Sequence, residues 1–345
     1  MSVTLEDVAK RAGVSPKTVS YVIRNLPGVS EETAKRVWQA INELGYRPNK
    51  AARNLATGKE SRNELLAFLL PRRFAEVLDP FYYAVLRGAE AEVVKHNYSL
   101  IFSAFDDPSQ ESFVLPKCVL EVSVDGVLVA HYAGKEFLQI LDKRGIPVVL
   151  IDAYLEDWPL NCVITDNEGG AFKAVSHLIE LGHRSIACVT GHYKKPSSFR
   201  DRVKGYRRAL EAHGIAFNED LLVSIETRHL TPEDGYLVTK AFLESKPNVT
   251  AIFATNDPLA SGVMRAIREL GLRIPDDISV IGFDDVDWAM HTSPALTTIR
   301  VFKEEMGRLA VQRLMSIINE PETPPVKLVM PTELIVREST APPPT

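Results

Sequence analysis

Seven short apolar runs dictate most of what this chain can become: LLAFLL (65–70), YSLIF (98–102), GVLVA (126–130), PVVLI (147–151), SIACV (185–189), TAIFA (250–254) and ISVIGF (278–283). Each is rich in Val, Ile and Leu, is bounded by Gly, Pro or Asp, and lacks the alternation of a strand with one wet face. Strands buried on both faces belong to parallel sheets, and the helix-length segments between the runs supply the crossovers such sheets need. With right-handed crossovers the outcome is an α/β architecture of doubly wound parallel sheets. The runs form two series, one ending at about Asp152 and one starting at about Val163, with no composition shift between them. A chain of 345 residues, 45% hydrophobic, can bury more than one core, so two or three domains are expected.

The first 62 residues follow another pattern. In TLEDVAKRAGVSPKTVSYVIRNL, Thr4 and Asp7 make a capping-box-like start, and Leu5, Val8, Ala9 and Ala12 recur at helical spacing before Gly13. Ser15 then serves as an N-cap, Pro16 suits the first helical position, and Val19, Val22 and Ile23 form a second buried stripe. Outside remain Lys17, Tyr21 and Arg24, flanked by Ser15, Thr18 and Ser20, a face with donors for phosphates and side chains long enough for base edges. A third helix is signalled by Ser30 as cap, by Glu31 and Glu32 in its first turn, and by Ala34, Val37, Trp38, Ile41 and Leu44 as its inner face up to Gly45. Together they predict an all-α helix-turn-helix headpiece whose second helix enters the major groove.

Charge agrees with that division. Residues 1–62 hold 11 Lys and Arg against 6 Asp and Glu, whereas the remainder holds 29 against 39 within an overall net charge of −5. A basic head on an acidic body points to an anionic partner for the head alone. Cys118, Cys162 and Cys188 stand apart, without a CxxC pair, which fits buried thiols in a reducing compartment. No export signal precedes the headpiece and no apolar run approaches the roughly 20 residues that span a bilayer. The expectation is a cytoplasmic protein without a membrane partner.

The run LEDVAKRAGVSPKTVSYVIRN closely resembles the amino-terminal signature of the LacI/GalR family of bacterial transcription regulators, and VSEETAKRVWQAINELGYRPNKAARNLATGK continues the match without a gap. The resemblance implies a headpiece over 1–46, a hinge over 47–61, an effector-binding and dimerisation domain over 62–340, and a disordered tail over 341–345. That domain would be a two-lobed, periplasmic-binding-protein-like (type I) body joined by three crossovers. Its N-lobe would take about 62–162 and 301–325, and its C-lobe about 163–300 and 326–340. DNA contacts are implied at Thr4, Ser15, Pro16, Lys17, Thr18, Ser20, Tyr21, Arg24, Ser30 and Thr33. Many relatives have Arg where this chain has Tyr21, and Pro16 cannot donate, so Lys17 is the main candidate for a guanine contact.

The hinge, YRPNKAARNLATGKESR, is polar and Ala-rich, with a short helix expected at roughly 49–56 that is marginal unless docked. In the family, paired hinge helices sit in the minor groove and a leucine from each wedges between base pairs. Leu55 stands at that position, with Asn49, Ala52 and Arg53 in matching places, and Lys50 and Arg53 suit phosphates.

On the same resemblance, effector binds between the lobes near the carboxyl ends of the strands. Asn256 of FATND, Asp284 of GFDD, Arg202 of RDRVKGYRRAL and Asp152 ending PVVLID match effector-contacting positions, with Phe81 and His131 beside them. Carboxylates, an amide and a guanidinium fork suit a polyhydroxylated ligand, hence a sugar or sugar derivative. Leu230 replaces an aromatic of one sugar-responsive member, and Ala130 with His131 replaces a polar side chain. Phe81, Tyr82 and Tyr83 could stack on a sugar, although plain packing is expected for at least two of them. Arg72 and Arg73, with Arg202, leave an anionic effector such as a sugar phosphate open.

Chemistry signatures are missing: no GxGxxG after a strand, no GxxxxGK[ST], no GxSxG and no HExxH. The eight histidines are scattered, and Asp284, Asp285 and Asp287 have no His or Cys at ligand spacing, so neither metal nor cofactor is expected and catalysis is disfavoured. The sequence predicts a ligand-responsive, sequence-specific repressor that binds a palindromic operator as a homodimer, with dimerisation along helices such as Phe81 to Val94. The alternative is a carbohydrate-binding protein without DNA-binding activity.

Overall fold

The computed structural model describes residues 3–23, 26–46, 62–77, 79–106, 115–131, 133–193, 198–225, 230–245 and 248–344. They divide into two units, Met1–Asn63 and Glu64–Thr345. The first contains α1 (Leu5–Ala12), α2 (Pro16–Ile23) and α3 (Glu31–Leu44). Thr4 and Asp7 form a complete capping box, and Gly13 closes α1 at φ 67°, a left-handed geometry that a side chain would strain. Val8, Ala9, Val19, Val22, Val37, Ala40 and Ile41 make one small core. Trp38, expected on the inner face, is 47% exposed. The stripe of α3 runs through Val37, Ile41 and Leu44, and Trp38 falls about 100° away from it.

The second unit opens with β1 (Leu65–Pro71), α4 (Arg72–Glu76), α5 (Pro80–Lys95), β2 (Ser99–Phe105), α6 (Lys117–Leu120), β3 (Gly126–Ala130), α7 (Lys135–Lys143), β4 (Val148–Ile151) and β5 (Cys162–Thr165). It continues with α8 (Asn167–Glu180), β6 (Ile186–Thr190), α9 (Ser198–Ala212), β7 (Leu222–Ser224), α10 (Pro232–Glu244), β8 (Ala251–Ala254), α11 (Asp257–Glu269) and β9 (Ser279–Ile281). Last come β10 (Thr298–Arg300), α12 (Lys303–Asn319), β11 (Lys327–Met330) and β12 (Glu333–Ile335). All seven apolar runs become strands, in two parallel sheets ordered β11-β5-β4-β3-β1-β2 and β7-β6-β8-β9.

The sheets correct the expected lobe boundaries. Val163 lies inside β5, which pairs with β4 and with Lys327–Met330, so the first lobe extends through Thr165 and takes its last strand from residues assigned to the other lobe. The reason is that β11 has an exposed edge pattern rather than an apolar run. The chain passes to the second lobe through α8, returns through β10 and α12, and leaves again through β12, which pairs antiparallel with β10. Asp285 accepts from Arg300 and Arg337 at 2.7 Å each, tying the second and third crossovers together. α12 packs tightly on α5, where a Cβ on Gly307 would come within 2.0 Å of the Val85 carbonyl oxygen.

The end of the chain is also corrected at its first residue: Ala341, expected in the tail, is docked rather than loose. Ala341 donates its N–H to Ser279 Oγ at 3.0 Å, and its carbonyl lies 2.8 Å from Nε2 of buried His183. The Ser279 hydroxyl on β9 and a histidine just past α8 thus supply partners that a Pro-rich stretch does not advertise.

Candidate functional site

In the first unit, α2 offers the DNA-facing candidates already partly oriented. Ser15 Oγ accepts the Thr18 N–H at 3.1 Å, and the two hydroxyl oxygens are 2.9 Å apart. Ser15, Pro16 and Lys17 are exposed, while Thr18, Ser20 and Tyr21 are half-buried. Lys17 Nζ lies 5.6 Å from the centre of the Tyr21 ring, an i, i+4 cation–π pair that limits where the ammonium can swing. Thr4 caps α1, and Ser30 caps α3 by accepting the Thr33 N–H at 3.3 Å while donating to Thr33 Oγ1 at 2.9 Å. Such capped N-termini direct free N–H groups outward, a setting that favours phosphate. Arg24 and the hinge candidates Asn49, Ala52, Arg53 and Leu55 lie outside the described residues.

In the second unit, strand ends of both sheets carry the expected polar groups. His131 follows β3 at φ 65°, Asp152 follows β4 at φ 55° and Asp284 follows β9 at φ 113°. Left-handed backbone at three non-glycine strand ends stores strain, which clusters where function demands a fixed side-chain direction. Tyr82 Oη donates to Asp152 Oδ2 at 3.1 Å, and Asp152 Oδ1 has no hydrogen-bond partner although it is shielded from solvent. Burial pushes Asp152 up to about 7, with Arg202 pulling it down and Asp284 pushing it up. That mutual influence across the lobes places the carboxylate and the guanidinium in one electrostatic site.

Arg202 is buried and heavily engaged. Its Nε donates to Asn167 Oδ1 at 2.8 Å, its Nη1 to the Thr255 carbonyl at 2.5 Å, and its Nη2 sits 3.0 Å from Asp284 Oδ1. The guanidinium lies over Phe283, 3.8 Å from the ring centre. Burial raises the Asp284 carboxyl, opposed by Arg202 and Lys303. Lys303 Nζ donates to the backbone carbonyls of Asp284 and Asp285 at 2.6 and 2.8 Å. Asn256 caps α11, its Oδ1 accepting the Leu259 N–H at 2.9 Å. Asp257, next to it, accepts from Thr298 Oγ1 at 2.6 Å and the Val286 N–H at 2.9 Å, and burial pushes it up to about 8.

The aromatic candidates separate. Phe81 is buried in the core, edge-on to Tyr82 with ring centres 5.1 Å apart, and Tyr83 is 56% exposed. Tyr82 alone of the three joins the polar site, and with Phe74 and His131 it forms a ring cluster at 4.8 to 6.1 Å. Arg72 is committed to Asp106 at 2.6 Å, and Arg73 lies over Phe74.

Several residues escaped the sequence reading. Asp79 caps α5 by accepting from the Phe81 and Tyr82 N–H groups at 2.9 and 3.2 Å, and burial aided by Asp284 pushes it up to about 6. An Asp before Pro-Phe-Tyr is a legible capping signal, but its nearness to Asp284 is not local. Asn167 orients Arg202 from another helix, which no spacing reveals. Among the described residues, no group of three His, Cys, Asp or Glu side chains is arranged to hold a metal, and no helix is long and apolar enough to cross a membrane.

Residues 4–49 match the model of bacterial regulatory proteins, lacI family, and residues 175–340 match that of the periplasmic binding protein-like domain. Over 338 residues the chain is 33% identical to the HTH-type transcriptional repressor PurR of Aliivibrio fischeri (strain MJ11), covering 97% of this chain and 98% of that one. This chain belongs to the LacI family. Among solved structures, this LacI-family chain is similar to the transcriptional regulator CelR–cellobiose complex, with 32% identity, a TM-score of 0.72 and coverage of 98% and 99% of the two chains. It is also similar to the lac repressor dimer bound to operator and the anti-inducer ONPF, with 28% identity, a TM-score of 0.78 and coverage of 99% and 100%. As a LacI-family member it is a DNA-binding transcriptional regulator controlled by a small-molecule effector, built from a helix-turn-helix head and a two-lobed α/β body.

Proposed function

We propose that this LacI-family regulator represses transcription as a homodimer on a palindromic operator, and that a sugar or sugar derivative held between its lobes sets operator affinity. The observation that carries the effector site is the buried Arg202–Asp284 pair at 3.0 Å on one lobe, electrostatically coupled to Asp152 on the other. Asp152, Arg202, Asn256, Asp284 and His131 would contact the ligand, and Tyr82 replaces Phe81 as the aromatic at the site. The cellobiose complex of the CelR relative supports a polyhydroxylated ligand. Because linkage is reciprocal, an effector that changes operator affinity must itself bind operator-bound repressor with affinity changed by the same factor.

The test is a thermal-shift screen of the purified chain with cellobiose, ribose, sugar phosphates, nucleosides and purines, followed by a mobility-shift assay with each stabilising compound. A sugar that raises the melting temperature and changes operator retention supports the reading; stabilisation by purines alone overturns it. On the DNA side, Ser15, Thr18 and Ser20 would position the helix on phosphates and Lys17 would read a guanine. Lys17→Ala should relax specificity at one operator position by about 1–3 kcal/mol, and an equal loss on all sequences would reassign it to phosphate. The same reading makes the chain a binding protein of the bacterial cytoplasm and nucleoid without turnover of its ligand. Its intact headpiece caps argue against a body that has lost DNA binding.

A further inference from the structure

We propose that Tyr154, Arg200 and Asp201 are positioning residues: a clasp across the mouth between the lobes that holds Asp152 and Arg202 at the separation where both can act on one ligand. This rests on the cleft being the effector site. Tyr154 follows Asp152 by two residues on the loop after β4, and Arg200 and Asp201 precede Arg202 by two and one residues on α9. Each lobe therefore carries its clasp residues and its ligand residues on the same short stretch of backbone, so fixing one fixes the other.

The contacts are direct. Tyr154 Oη donates to Asp201 Oδ2 at 2.8 Å and accepts from Arg200 Nη2 at 3.1 Å, and the same Nη2 donates to Glu156 Oε1 at 2.8 Å. Lys327 Nζ, on the edge strand of the first sheet, lies 3.7 Å from the centre of the Tyr154 ring and holds the phenol from its own lobe. The Arg200 and Asp201 side chains are largely shielded, so these charge-assisted bonds are screened less than surface pairs. Glu156 is exposed and contributes less. A bond network that exists only when the lobes are together biases the closed arrangement, and a prepaid closure raises apparent ligand affinity.

The experiment uses the full chain without ligand. Tyr154→Phe keeps the ring under Lys327 and removes both hydroxyl bonds. Amide hydrogen exchange should then rise about tenfold not only at 152–165 and 198–212 but also at the far strand ends around His131, Asn256 and Asp284, with little change in melting temperature. Small-angle scattering should show a larger radius of gyration. Exchange that rises only beside residue 154, or does not rise, overturns the clasp; either outcome leaves the effector reading standing, since that reading is tested by ligand stabilisation.

Discussion

The two walls of the cleft are built on opposite principles. On the C-lobe side the charged groups hold one another and their neighbours: Arg202 bonds Asn167 and Thr255 and forms an ion pair with Asp284, whose Oδ1 keeps that ion contact without a hydrogen bond, and Asp257 bonds Thr298 and Val286. On the N-lobe side Asp152 has one phenol on one oxygen and no hydrogen-bond partner on the other, and Asp79 spends its acceptor on a helix cap. On the proposed reading, the more heavily bonded wall around Arg202 acts as a template set before ligand arrives, and the wall around Asp152 is where a ligand's own donors complete the network. Buried networks stay rigid when every member is paired and adapt where one is not.

The largest effect should come from breaking the rigid wall. Arg202→Ala leaves Asp284 buried without its ion partner, and it should cost about 3–5 kcal/mol of stability and lower the melting temperature by roughly 10 °C in scanning calorimetry. A loss below about 1 kcal/mol would show that this wall is not a template at all.

Titration sharpens the contrast next. Burial first, with neighbouring carboxylates adding, holds Asp79 at about 6, Asp152 at about 7 and Asp257 at about 8, all above the 3.8 of the unfolded chain. With raised folded values, the folded chain binds more protons than the unfolded one across this range, so stability present near pH 4 is lost as pH climbs towards 8. Asp152→Asn should flatten the part of that slope nearest pH 7 in denaturant titrations, and an unaltered slope would mean that Asp152 is ionised throughout. The smallest change is Tyr82→Phe, which should cost about 1 kcal/mol. It should also push Asp152 further up, since the Tyr82 bond lowers it, and reduce effector affinity in calorimetric titration more than it reduces stability.

Local chemistry made much of this legible. The capping box at Thr4, the cap at Ser30 and the terminator at Gly45 are short-range signals, and the structure uses each of them. The Val/Ile/Leu runs announced parallel strands, and six of the seven are buried because both faces are apolar; YSLIF instead forms the sheet edge, where Ser99 and Phe102 are exposed. What stayed hidden was either too short or too distant. β7 is three half-buried residues, and β11 alternates exposure at a sheet edge. The Tyr82–Asp152 and Tyr154–Asp201 bonds join residues 70 and 47 apart in sequence, and Asn167 reaches Arg202 across 35. Resemblance could point to Arg202, but only tertiary structure shows that its charge is already spent on Asp284.

The late strand β11 has a consequence for how the molecule is made. β5 is complete at residue 165, yet the neighbour that covers its open edge spans Lys327–Met330, and the second sheet is bound at β9 by residues 339 and 341. During synthesis at ordinary ribosomal rates, the Cys162–Thr165 edge therefore waits for roughly 10–30 s with its amides unpaired. An uncovered parallel edge is a template for wrong pairing. Truncation before residue 327, or a ribosome stalled there, should yield chains that associate with one another or with chaperones, even though the helix-turn-helix head has already left the exit tunnel.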